Sequence, residues 1–367
     1  MNWQRAVLLG LLFVLPASGA DPESVLLMSR RKGWIEAVKL DTLQPITRFR
    51  VGPLAETVTA SPDGEILFVT KALRSHPEGC CALYALNLSS RKMSFLIEPA
   101  VNAVASPTDD RVFTQRGNVG VELFDGETLE RKPVLDSHSL YSLHPSPDGR
   151  WLFGVTYSGD QISETRTEGP ALHIFDLQRN QRVRRLSVPY GLPTGTWMDG
   201  IFYLLAFNGG QAYFWRVHAD TAVLGPGEEF QIPDLTPDRR PLVLRVLAAR
   251  GHLFIYEAFG GKLDPRKAEK PVIGGVFEFD PVAARGVRHL VPEMHFAQLL
   301  AAPDGQTLYG LDVPFPPWRA SPRLVKLDLA AGKLAAERDL PIDVWHIDMA
   351  EISLSLLPPE GMDFYRH

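Results

Sequence analysis

The sequence predicts an all-β fold, a seven-bladed β-propeller of four-stranded antiparallel blades whose ring is closed by the C-terminal strand. Three observations predict it. A polar turn followed by a short alternating apolar strand recurs along the chain. Strand–turn–strand hairpins interleave with those turns. Each end of the chain also holds part of a unit whose remainder stands at the other end.

Taken in order, residues 1–20 read as a signal peptide: "MNWQR" is a short basic start, "AVLLGLLFVL" an apolar run, and "PASGA" supplies small residues before a cleavage ahead of Asp21. The apolar run is about half the roughly 20 residues a bilayer-spanning helix needs, and no later segment is apolar enough to span. The expectation is a periplasmic or secreted protein, with residues 21–367 forming one propeller domain. Losing Arg5 with the leader leaves 37 basic residues against 43 acidic ones, a net charge of −6 with no basic stripe, which excludes a nucleic-acid partner.

The turn-strand repeat runs "ASPDGEILFVT" (60–70), "ASPTDDRVFTQ" (105–115), "PSPDGRWLFGV" (145–155) and "AAPDGQTLYGL" (301–311), with looser copies at 196–206 and 247–257. Proline suits the second position of a turn, and Asp and Gly tolerate the rest of its geometry. The hairpins lie at 35–51, 83–99, 121–135, 172–189, 213–233, 276–292 and 324–341. Most carry Asp or Asn where the first strand ends, a residue whose side chain bonds the turn backbone. A turn-strand pair plus the following hairpin makes four antiparallel strands. The first hairpin lacks a full preceding pair and "DVWHIDMAEISLSLLP" (343–358) lacks a following hairpin, so the two ends are expected to share one blade. Trp151, Phe153, Trp197, Trp215, Phe254 and Phe277 fall on strand patterns as packing between blades.

The motifs "SPDGRWLFGV", "LHIFDLQRNQRVRRLSVP", "LVKLDLAAGKLAAERDLP" and "ISLSLLP" resemble the exported YVTN-type propellers, and within them the β subunit of quinohemoprotein amine dehydrogenase. The resemblance covers nearly the whole chain after the leader. It implies a non-catalytic binding or scaffold subunit whose partners supply the oxidation chemistry. No cofactor is expected on this chain itself; a quinone cofactor or haem could come from partner subunits. The chain has no C-x-x-C-H haem-attachment motif.

Four segments interrupt the repeat at 73–79, 157–169, 259–271 and 313–322, each between the second and third strands of its blade and so on one face of the ring. Rigid scaffolds concentrate binding residues on such loops. His76, Arg166, Lys262, Trp318 and Arg319 are the candidates there for a protein partner or small molecule. The alternative is a stand-alone hydrolase such as a lactonase, using histidines of the first strands: His144 and His295 are its catalytic candidates, and His138 stands beside the first of these. The only two cysteines, Cys80 and Cys81, are adjacent. His76 and Glu78 with that pair are metal-ligand types, but without C-x₂-C spacing no metal site is expected. Export and the turn residues Pro77 and Gly79 point instead to a vicinal disulfide at the mouth of a loop, where the backbone is not yet held in strand alternation. No G-x-S-x-G, H-E-x-x-H or P-loop motif occurs.

Overall fold

The computed structural model describes residues 22–72, 81–100, 103–116, 120–126, 128–132, 140, 142–156, 169–189, 191–208, 211–221, 223–232, 244–258, 273–314 and 321–365. The described strands form seven antiparallel sheets. In chain order the first complete sheet, blade I, is β4 (Ala55–Ala60), β5 (Ile66–Ala72), β6 (Cys81–Asn87) and β7 (Lys92–Ala100). Blade II is β8 (Ala103–Ala105), β9 (Arg111–Arg116) and β10 (Gly120–Asp125). Blade III is β11 (Ser142–Pro145), β12 (Trp151–Thr156), β13 (Ala171–Asp176) and β14 (Gln181–Ser187). Blade IV is β15 (Gly191–Met198), β16 (Ile201–Asn208), β17 (Gln211–Val217) and β18 (Glu228–Phe230). Blade V is β19 (Leu244–Ala249), β20 (His252–Glu257), β21 (Val276–Asp280) and β22 (Arg285–Leu290). Blade VI is β23 (Phe296–Ala301), β24 (Thr307–Asp312), β25 (Arg323–Asp328) and β26 (Lys333–Asp339). Blade VII joins the two ends: β27 (Val344–Ile352), then β1 (Glu23–Arg30), β2 (Trp34–Lys39) and β3 (Pro45–Arg50).

The closure expected from the sequence is therefore present. β27 runs antiparallel along the whole of β1, from Glu23 opposite Ile352 to Arg30 opposite Val344. The first strand of every blade touches the first strand of the next, with β27 set between β23 and β4. Packing repeats the same closure. Each of seven apolar clusters takes its residues from two neighbouring blades, so every seam of the ring has its own core. The aromatic residues assigned to this role lie in those seams: Trp151, Phe153, Trp197 and Trp215 between blades III and IV, Phe277 between IV and V, and Phe254 between V and VI.

Local chemistry explains why the repeat folds this way. In the Ser-Pro-Asp-Gly turns, Ser61 Oγ donates to Asp63 Oδ1 at 2.5 Å and accepts from Ile66 N at 3.0 Å. Ser146, Asp148 and Trp151 repeat that arrangement. Gly64 takes φ +70°, and a Cβ there would lie 2.1 Å from the carbonyl oxygen of Glu351, so glycine lets the turn of blade I press on β27. At the hairpin ends, the carboxylates of Asp125, Asp176, Asp280 and Asp328 accept backbone N–H bonds from the turns that follow. Three successive seams share a further clasp. Arg216 reaches the carbonyl of Pro281, Arg288 that of Leu329, and Arg338 that of Leu43, each in the hairpin turn of the next blade.

Among the described residues blade II shows three strands, and Arg131 bridges Phe124 where the outer strand is expected; residues 133–139 lie outside the described residues. None of the helices among the described residues is long and apolar enough to cross a membrane.

Candidate functional site

The four interrupting segments connect second to third strands (β5–β6, β12–β13, β20–β21 and β24–β25), and antiparallel pairing brings these connections to the same end of the ring. His76, Arg166, Lys262, Trp318 and Arg319 themselves lie outside the described residues, as do His138 and the leader. What the structure does show is how the loops are rooted. Glu257, at the end of β20, is buried and accepts the N–H of Ile273 at 2.8 Å, clamping the two sides of its loop. Asp312, at the matching end of β24, accepts the N–H of His295 at 2.9 Å and two bonds from Arg323, whose other nitrogen meets Glu337 at 2.7 Å. A carboxylate buried to this depth is stable only when it is paired and hydrogen-bonded, and Asp312 is both. The same carboxylate helps hold the Arg323 guanidinium above its ordinary value against the lowering effect of burial.

His295 thus precedes β23 and ties it to β24, instead of standing on a strand at the inner edge as the sequence reading had it. His144 does lie on an inner strand. Its Nε2 is 2.9 Å from Ser142 Oγ, its ring is 5.4 Å from that of Phe202, and its carbonyl accepts from the Trp197 indole at 3.1 Å. Burial, with the nearby positive charge of Arg245, depresses the imidazole to about 3.

Two further inner-edge groups were not singled out in the sequence. His346 and Asp348 occupy alternate positions of β27 and share the face toward β4. Burial lowers His346 to about 4, against the opposing effect of a hydrogen bond with the Val58 backbone. Burial raises Asp348 to about 6, although Thr59 and the Met349 N–H both bond its carboxyl. Polar residues alternating in "VWHIDMAEI" are the signal that could have marked them. Chemically, these inner-edge groups are two neutral imidazoles, the positive charge of Arg245 and one carboxyl raised to about 6. Among the described residues no cluster of three metal-ligating side chains occurs.

The expected vicinal disulfide falls on Cys80, which lies outside the described residues; no disulfide occurs among those described. Cys81 is already the first residue of β6, opposite both Ala72 and Ala100, and its side chain is buried.

No family model matches the chain, and no curated protein does. Solved structures match by fold. Kuenenia stuttgartiensis hydrazine synthase aligns with a TM-score of 0.53 at 13% identity, over 75% of this chain and 76% of that one. Dihydro-heme d1 dehydrogenase NirN in complex with DHE aligns with a TM-score of 0.55 at 14% identity, over 92% and 78%. The computationally designed Ika8 protein aligns with a TM-score of 0.56 at 9% identity, over 89% and 90%. A designed protein fits as well as the natural ones, so the likeness carries architecture and no activity.

Proposed function

We infer that the chain is an exported, non-catalytic propeller that binds a partner or small molecule on its loop-bearing face, as a scaffold subunit of a quinoprotein amine dehydrogenase-like complex. One observation carries the reading: the connections at 73–79, 157–169, 259–271 and 313–322 leave one end of the ring, two of them from roots fixed by buried carboxylates. A rigid ring with extended loops on one face is a presentation surface. The occurrence of this architecture in a dehydrogenase bound to DHE fits a propeller serving redox chemistry, with quinone or haem supplied by partner subunits. The test is co-expression with neighbouring genes that encode a small quinone-bearing subunit and a dihaem subunit. Co-elution of the three chains, weakened when Trp318 and Arg319 become Ala, supports the reading; a chain that elutes alone in their presence overturns it.

The hydrolase reading rests on the Ser142–His144 contact at 2.9 Å. An imidazole depressed to about 3 is a poor general base at neutral pH, because efficient bases have values near the working pH. Hydrolysis of lactones or esters by the purified chain, abolished by His144→Ala, would restore that reading.

A further inference from the structure

The second-strand residue that pairs with the first residue of the blade's first strand is equivalent in several blades. In blades V and VI it is Glu257 and Asp312, each engaged at a loop root. In blade I the same position is Lys71, opposite Ala55 of β4 as Asp312 is opposite Phe296 of β23. Lys71 is 6% exposed, and no carboxylate lies within ion-pair distance of it among the described residues. Its Nζ sits instead 3.9 Å from the centre of the Tyr84 ring. Buried lysines ordinarily find a counter-charge, and a ring face compensates only part of the lost hydration.

The surroundings are aromatic and converge on a missing side chain. Gly52 has φ +100°, and a Cβ on it would lie 3.3 Å from Lys71 Nζ and 2.7 Å from Cδ2 of Tyr365. Tyr365 is 58% exposed and Phe95, whose ring meets Tyr84 edge-on at 5.7 Å, is 56% exposed, so aromatic faces run from solvent to the amine. The groups around Lys71 are Tyr84 from β6 and Tyr365 from the C-terminal segment. Burial and the charges of Glu98 and Tyr365 hold the Tyr84 phenol above its ordinary value, so it stays protonated. Burial alone lowers the Lys71 amine to about 8, which leaves a reactive fraction uncharged at neutral pH.

We propose that Lys71 is a carbonyl-capture site that condenses with aromatic aldehydes, which enter between Tyr365 and Phe95. The neutral Nζ lone pair attacks the aldehyde carbon, a C–N bond forms, and the carbonyl π electrons move to oxygen, which takes a proton released by the nitrogen. Tyr84 protonates the hydroxyl of the resulting carbinolamine, the C–O bond breaks to release water, and the nitrogen returns its second proton to Tyr84, leaving a C=N imine. No electrons are exchanged with any oxidant. The site lies at the root of the 73–79 connection, on the loop-bearing face, but its chemistry does not depend on the partner-binding reading.

The test is reductive trapping of the folded chain with benzaldehyde and cyanoborohydride at pH 7, followed by peptide mapping. Lys71 should be benzylated first, at least about ten-fold faster than the exposed Lys39, Lys92 and Lys333, because its free-base fraction is far larger. Lys71→Arg should abolish the fast phase, and Tyr365→Ala should accelerate it by opening the entrance. If the arginine variant does not fold, the map of the unaltered chain still decides the matter. Labelling of Lys71 only after unfolding, or at the rate of the exposed lysines, overturns the proposal. So does reversible binding of benzoate there without trapping of the aldehyde, which would mark an anion site.

Discussion

At the seam between blades VI and VII, the carboxylate of Glu36 is buried against the guanidinium of Arg338, which also donates to the carbonyl of Leu43. At the inner edge of blade VII, Asp348 is partly buried and meets a hydroxyl and an N–H, and burial raises its carboxyl to about 6. The same chemical group is treated in opposite ways within one blade. At three successive seams, from blade IV to blade VII, arginine-to-carbonyl bonds, with an ion pair at the last, join each blade to the next. At the inner edge, burial suppresses the charge of Asp348, His144 and His346, the second of these beside the charged Arg245. The difference teaches that the channel wall is tuned for hydrogen bonding and the seams for cohesion.

The largest effect comes from removing the inner edge of blade VII altogether. Deleting residues 343–367 takes away β27, the Arg30–Asp343 ion pair at 2.9 Å and the C-terminal residues packed against Phe49. It opens the ring and exposes β1 as an inner edge. Thermal unfolding should lose its single cooperative transition, since the loss exceeds the ~5–15 kcal/mol that holds an ordinary domain together. A truncated chain that melts as the whole one does would show the closure to be dispensable.

The next effect breaks a seam. Arg338→Met leaves Glu36 buried without its guanidinium and should cost about 3 kcal/mol, as breaking one side of a buried pair usually does. Denaturant unfolding measures it. If the double variant Arg338→Met with Glu36→Gln recovers most of the loss, the cost was the stranded charge and not lost packing.

How much of this was legible in the sequence follows the range of the interactions involved. The turns and hairpins were legible because Ser61, Asp63 and Gly64, or Asp280 and its following N–H groups, act within a few residues of one another. The shared blade was legible because each chain end lacked what the other had. The outer strand of blade II, expected from "VELFDGETLERKPVL", is seen at the bridge of Arg131 to Phe124, and residues 133–139 lie outside the described residues. β6 begins at Cys81 itself, a start that nothing local in the sequence marked. The inner-edge groups were not legible because which face of an inner strand meets its neighbour depends on ring register. Lys71 stood at the end of an apolar run and becomes notable only when the blades are superposed on Asp312 and Glu257.

Acid should reveal the inner-edge histidines. Their folded values of about 3 and about 4 lie below the ordinary 6.5, so the unfolded chain takes up protons first as pH falls. Stability is therefore lost as pH drops from about 6.5 toward 4, at most about 2 kcal/mol for each histidine by pH 5. His144→Gln and His346→Gln should each flatten the slope of unfolding free energy against pH in this window. A slope unchanged in both variants would move the acid sensitivity to the seam carboxylates.

The smallest effect runs the other way and isolates the inner edge. Asp348 has a folded value of about 6 against an ordinary 3.8, so as pH rises through about 4 to 6 the unfolded chain ionises first and stability is lost. Above that window the folded protein carries a charge its surroundings resist. Asp348→Asn keeps a side-chain oxygen to accept from the Met349 N–H and an amide to meet Thr59, but has nothing to ionise. The variant should be more stable at pH 7 by about 1–2 kcal/mol, a figure reduced for the partial exposure of the group, and no more stable at pH 4. Equal destabilisation at both pH values would mean that geometry governs this position and charge does not. The contrast between a charge-suppressing inner edge and charge-paired seams would then fail at its clearest residue.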